Sequence, residues 1–202
     1  MKQQHSSIES LALTLFDIGA VRLGQFMLRS GQPSPIYLDL RLLVSFPQAL
    51  RQATAVYRAI LASLTYDVLV ATPLAGLPIG TAVALDMDQR LIYPRNQAKD
   101  YGTGKMIEGK WDAGETAVIL DDVITLGGSI IRTLDTLRHA GIQAQEAVVL
   151  IDRQQGGRDS LHTHGCTLHA GFAMNQLMAI LEANRRITAA QRAEVCNALN
   201  LS

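Results

Sequence analysis

The segment that most limits what this chain can fold into is TAVILDDVITLGGSI, residues 116–130. Thr116 to Leu120 is a short β-branched apolar run, the composition of a buried strand. It runs into two adjacent carboxylates, Asp121 and Asp122, where the strand is expected to end. Thr125, Leu126, Gly127, Gly128 and Ser129 then form a turn before a helical pattern from about Ile130 to His139. A strand, an acidic pair, a Gly-rich turn and a helix start together suit a phosphate joined to a polyol. The glycines let the backbone turn tightly and point N–H groups at an anion. The helix start adds unsatisfied N–H groups and the positive end of its dipole. The carboxylates repel a phosphate, but they accept hydrogen bonds from sugar hydroxyls or hold Mg²⁺. The plainer alternative is a strand-to-helix turn that merely carries two Asp residues. The segment has neither the G-x-x-x-x-G-K-[ST] nor the G-x-G-x-x-G spacing of the common nucleotide loops.

A chain of 202 residues, 48% hydrophobic and 18% charged, has core enough for one globular unit. A formal net charge of zero argues against general nucleic-acid binding. No apolar run reaches the length of a membrane span, and the polar start MKQQHSSIES is unlike a signal peptide. Neither nucleic acid nor membrane is therefore an expected partner. Cys166 and Cys196 suggest reduced thiols and a cytoplasmic location. Lysine is rare: Lys99, Lys105 and Lys110 cluster in one segment, and the only other is Lys2.

Periodicity predicts helices over 8–18, 47–64, 76–86, 174–181 and 189–199. It predicts strands over 21–28, 36–40, 67–72, 90–95, 147–152 and 168–172. Residues 96–115 are a long polar connection, a length that in a compact domain is usually functional or disordered. DVLVAT runs into PLAGLPIG, residues 73–80. That turn either approaches a diphosphate through its backbone or uses Gly76 and Gly80 for close packing. AVVLID ends in Asp152, Arg153, Gln154, Gln155, Gly156 and Gly157. Three strands thus end in charged or Gly-rich turns at one edge of a parallel sheet, where open α/β sheets bind ligands. His162, His164 and His169 lack zinc-site spacing and read as surface-loop residues, and Cys166 reads as a small buried residue.

Four segments carry a family resemblance. VILDDVITLGGSI, residues 118–130, resembles the phosphoribosyl-pyrophosphate (PRPP) signature of the type I phosphoribosyltransferases. FMLRSGQPSPIYLDLR, residues 26–41, resembles the FxLKSGxxSPxYxDLR element of orotate phosphoribosyltransferases. RNQAKDYGTGKMIEG, residues 95–109, resembles that family's mobile loop, commonly RKExKDYGTxxxxEG. IDRQQGG, residues 151–157, resembles its LDRQxGG turn. The likeness covers roughly Leu11 to Arg158, with departures at Arg29 and Ala75, where lysine is common, and at Asn96 and Gln97. Losing the cation at Asn96 from a pyrophosphate clamp costs on the order of 1–3 kcal/mol of charge-assisted bonding.

The resemblance implies an α/β type I phosphoribosyltransferase fold, a central mainly parallel sheet flanked by helices. A small N-terminal hood, residues 1–45, would pack on a core of residues 46–202. It implies transfer of phosphoribosyl from PRPP to orotate, giving orotidine 5′-monophosphate in UMP biosynthesis. Lys99, Asp121 and Asp122 would be catalytic. Arg95, Lys99, Tyr101, Asp121, Asp122, Val123, Ile124, Thr125, Leu126, Gly127, Gly128 and Ser129 would bind PRPP. Arg29, Thr125 and Arg153 would bind orotate. Mg²⁺ would be held mainly by PRPP and water, with no ligand set on the protein. A homodimer is implied, its 95–110 loop reaching the neighbouring subunit. The alternatives are a non-catalytic PRPP- or nucleotide-binding regulator and a phosphoribosyltransferase for another base.

Overall fold

The computed structural model describes residues 2–27, 31, 33–95 and 106–201, with side chains from residue 8 onward. The chain begins with helix α1 (Lys2–Asp17), followed by strands β1 (Val21–Met27) and β2 (Pro33–Leu38), which pair antiparallel as a separate two-stranded sheet. Tyr37 stacks on Phe26 at 5.5 Å between centroids, and the Arg22 guanidinium lies over both rings. A 3₁₀ turn (Leu40–Ser45) leads to α2 (Pro47–Leu61), whose first residue is a proline with no N–H to lose.

Next come β3 (Val68–Ala71), α3 (Gly76–Met87), β4 (Leu91–Pro94), β5 (Ile107–Glu108), β6 (Thr116–Ile124) and α4 (Gly128–His139). The chain continues through β7 (Gln143–Asp152), α5 (Gly157–Thr163), β8 (Thr167–Ala173), α6 (Met174–Ala183) and α7 (Ala189–Leu199). The main sheet has the order β5-β4-β3-β6-β7-β8, parallel throughout except for β5, which closes the β4 edge antiparallel.

The apolar runs are continuous because both faces of this sheet are covered. Leu69, Val118, Leu120, Val148 and Leu150 point into a core shared with α1, α2, α3, α6 and α7. Their neighbours Val68, Val70, Ile119, Ala147 and Val149 point into a second core closed by α4 and α5. Each such fully buried aliphatic side chain contributes about 1.5–3 kcal/mol. Leu11, Leu15, Ile36 and Leu43 join the first core, so the N-terminal elements share its packing.

Three expectations are corrected. β6 does not end at the acidic pair: it runs on to Ile124, held by pairing of Val123 with Ile151 and Ile124 with Asp152. The 96–115 connection contains a strand, β5, because Ile107 finds a buried slot against Pro94. His169 is no loop residue; it lies on β8, with Nε2 2.7 Å from a Glu146 carboxylate oxygen. The short α5 was not anticipated, its seven residues being too few for a clear period.

Candidate active site

The parallel strands β3, β6 and β7 deliver their C-terminal ends side by side. At the end of β6 the backbone passes Gly127, whose φ of +84° favours glycine, and enters α4 with its first amides unused by the helix. Asp121 is 4% exposed, and both its oxygens are engaged. Oδ1 accepts the Asp122 N–H at 3.0 Å, and Oδ2 accepts the Ser129 hydroxyl at 2.8 Å. The acidic pair is thereby tied to the glycine turn that opens α4. Asp122 accepts its neighbour Val123 N–H through Oδ1 at 2.8 Å. Burial first, then the Asp121 charge beside it, pushes the Asp122 carboxyl up to about 7.

The β7 turn docks onto the β6 turn. The Arg153 N–H donates to the Ile124 carbonyl at 3.0 Å. Asp152 braces the bend, accepting the Gln154 N–H at 2.8 Å and an Arg158 guanidinium N–H at 3.3 Å. The Gln154 side-chain oxygen Oε1 in turn accepts the Asn175 backbone N–H at the start of α6. Arg153 is 7% exposed, and its Nε and Nη2 have no hydrogen-bond partner among the described residues. Burial lowers its guanidinium pKa from the ordinary value.

On the other side, Arg95 follows β4 and pairs with Glu108 of β5 at 2.6 Å, leaving its Nε buried without a partner among the described residues. Arg95 and Ser129 line one cleft of about 270 Å³ with Pro73, Arg132 and Thr133. Arg132 was not singled out from the sequence, where an arginine on a helix looks like any solvated cation. Thr72, just after β3, is fully buried with a hydroxyl that has no partner among the described residues. The turn after it uses its glycines for packing. A Cβ on Gly76 would lie 2.7 Å from the Leu120 carbonyl oxygen, and one on Gly80 would lie 2.8 Å from Ala71 Cβ.

The structure thus brings Asp121, Asp122, Val123, Ile124, Thr125, Leu126, Gly127, Gly128, Ser129, Arg95 and Arg153 to one edge of the sheet. Leu126 is 67% exposed on that turn. Arg29, Lys99 and Tyr101 lie outside the described residues, as do Asn96 and Gln97. Among the described residues no three His, Cys, Asp or Glu side chains gather as a metal site. Cys166 is buried and unpaired, its thiol pushed up to about 11 by burial. No described helix is long and apolar enough to cross a membrane.

No family model matches the chain. It is 37% identical over 182 residues to uridine 5′-monophosphate synthase of Bos taurus, covering 89% of this chain and 38% of that one. It is 34% identical over 165 residues to orotate phosphoribosyltransferase of Pyrobaculum aerophilum, covering 81% of this chain and 86% of that protein. The solved UMP synthase of Leishmania donovani superposes with a TM-score of 0.87 at 36% identity, over 96% of this chain and 42% of that one. The chain spans about two fifths of the length of the bovine and Leishmania proteins, but most of the archaeal enzyme. With 34% identity over 86% of the Pyrobaculum protein, and the strand–acid pair–glycine turn in place, the chain belongs to the orotate phosphoribosyltransferase family.

Proposed function

We propose that the chain transfers the phosphoribosyl group of PRPP to orotate, giving orotidine 5′-monophosphate and pyrophosphate in UMP biosynthesis. The observation that carries this reading is Arg153, buried next to the β6 turn with two guanidinium nitrogens unpartnered among the described residues. Buried donors without partners are costly unless a ligand takes them. A planar base bearing a carboxylate takes a guanidinium fork bidentately.

The chemistry follows from where charge moves. A ring nitrogen of orotate bonds to the anomeric carbon as the bond to the diphosphate breaks with inversion; pyrophosphate leaves with the electron pair, and the nitrogen's proton passes to water. Positive charge gathers on the ribose and negative charge on the leaving group. Asp122, with one oxygen beyond its Val123 bond, accepts ribose hydroxyls, and the negative charge of the acidic pair favours the positive ring. The N–H groups of residues 125–129 and the Thr125 hydroxyl hold the 5′-phosphate, with Val123, Ile124 and Leu126 shaping the turn. The Ser129 hydroxyl is given to Asp121, so Ser129 meets the phosphate through its amide. Arg95, with Lys99 and Tyr101 from the loop, neutralises the departing pyrophosphate. Arg29, Thr125 and Arg153 hold the base. Holding both reactants in line supplies much of the remaining rate.

Asp121 has both oxygens bonded within the protein and Asp122 has one. This donor set suits Mg²⁺ arriving on the diphosphate with its own water, touched at most through Asp122. Bound there, the ion supplies Lewis-acid neutralisation of the leaving group. The reading includes a C2 homodimer whose 95–110 loop reaches the neighbouring site, and a hood of residues 1–45 over the core of residues 46–202. Free Cys166 and Cys196 fit a reducing cytoplasm.

The test is the fall in orotate absorbance when PRPP and Mg²⁺ are added to the protein. Turnover is expected, and Lys99→Ala should abolish it. PRPP binding by calorimetry without turnover would leave the regulator reading, which Asn96 and Ala75 favour. Turnover only with another base would reassign the substrate.

A further inference from the structure

Resting on that reading, we propose that Tyr57 is a positioning residue for the ribose and 5′-phosphate subsites, acting through Asp121. Tyr57 lies on α2, outside every motif of the sequence, and is fully buried. Its hydroxyl donates to the Asp121 carbonyl at 2.6 Å. A phenol in an apolar core needs a partner for its O–H, and here the partner is the backbone of the acidic pair. Burial, reinforced by the charges of Asp122 and Asp121, keeps that phenol protonated, so the bond is made throughout the working pH range.

The position of the bond matters. The β6–β7 ladder pairs Asp121 with Val149 and Val123 with Ile151 and skips Asp122. Tyr57 fastens the strand beside that gap. From Asp121 the bonds continue in two directions, to the Asp122 amide through Oδ1 and to the Ser129 hydroxyl through Oδ2. A rotation of the peptide joining the two acids would displace the Asp122 carboxylate and the first turn of α4 together. The pair is therefore divided in labour: Asp121 positions and Asp122 binds. What Tyr57 sets is the spacing between ribose and phosphate contacts, a property of PRPP affinity and not of base affinity.

Tyr57→Phe keeps the ring and removes only the hydroxyl. The expected result is a rise in KM for PRPP of roughly three- to tenfold, the effect of one lost hydrogen bond, with KM for orotate unchanged. Calorimetric affinity for ribose 5-phosphate should weaken by a similar factor. Val56→Ala, a truncation in the same core next to Tyr57, reports general loosening; it should lower Tm and leave KM for PRPP in place. Overturning results are an unchanged KM for PRPP in Tyr57→Phe, or an equal rise in Val56→Ala. If the wild-type chain binds neither PRPP nor ribose 5-phosphate, the parent reading and the role of Tyr57 fall together. If it binds both and Tyr57→Phe binds them equally well, only the role of Tyr57 falls.

Discussion

The turn from β6 into α4 and the turn from β7 into α5 both pass through a left-handed glycine and start a helix on a second glycine. Gly127 has φ +84° and Gly156 has φ +91°, and the helices begin at Gly128 and Gly157. The space around the second glycine differs. A Cβ on Gly128 would meet only the Arg132 guanidinium at 3.5 Å. A Cβ on Gly157 would lie 2.6 Å from Ile124 Cγ1 and 2.7 Å from the Thr125 carbonyl oxygen. The first turn keeps an open face for a ligand's approach. The second gives up its side chain so that it can press against the first, where the Arg153 N–H meets the Ile124 carbonyl. One turn offers backbone amides, the other a buried cation; together they suit a phosphosugar joined to an anionic base.

The sharpest way to break this comparison is to fill both glycines. Gly157→Ala should destabilise by about 2–4 kcal/mol, because the obstruction includes backbone and cannot swing away. That is a Tm fall of roughly 4–16 °C for a chain of this size, read by thermal melting. Gly128→Ala should be neutral or stabilising by up to about 1 kcal/mol, since alanine suits a helix start better. Equal melting of the two variants would remove the distinction. Arg153→Met should cut kcat/KM for orotate by about a hundredfold, roughly 2.7 kcal/mol of charge-assisted bonding, while Tm stays level or rises. A lower Tm with activity retained would mean that Arg153 serves packing.

Asp122 sharpens the comparison through pH. Its folded pKa of about 7 lies above the ordinary 3.8, so the unfolded chain releases this proton first as pH rises. Stability is accordingly highest below pH 4, falls between pH 4 and 7, and stays reduced above 7 with respect to this group. Asp122→Asn should therefore match wild type near pH 4 and exceed it at pH 8, on the order of 1–2 kcal/mol, with activity lost. A pH-independent difference in Tm would contradict the raised pKa. Ser129→Ala is the smallest change. Loss of its bond to Asp121 should cost about 1 kcal/mol in a denaturant melt, and no loss would mean that the two turns are not coupled there.

Much of the fold was legible because both-face burial leaves unbroken Val/Ile/Leu runs, as at Val68–Ala71 and Ala147–Ile151, and these mark parallel strands whatever surrounds them. The acidic pair and glycines were legible because they follow such a run directly. The extension of β6 through Asp121 and Asp122 was not, since two carboxylates inside a strand contradict local propensity; the neighbouring β7 ladder and the Ser129 bond overrule it. β5 was hidden in a polar segment because two residues carry no period. The predicted strand over 168–172 already contained His169; its pairing with Glu146 was hidden because that partner lies 23 residues away, on the adjacent strand.

By itself the sequence determined the alternation of strand and helix, the left-handed turns at glycine and the set of charged residues at the strand ends, since these depend on backbone preference and local pattern. Only the tertiary structure decided which Gly-Gly pair stays open and which is buried, that Arg153 has donors unpartnered among the described residues, that Arg95 pairs with Glu108, and that a tyrosine 64 residues away holds the Asp121 carbonyl. Those properties are desolvation and contact between residues distant in the chain, and no local window of sequence contains both partners.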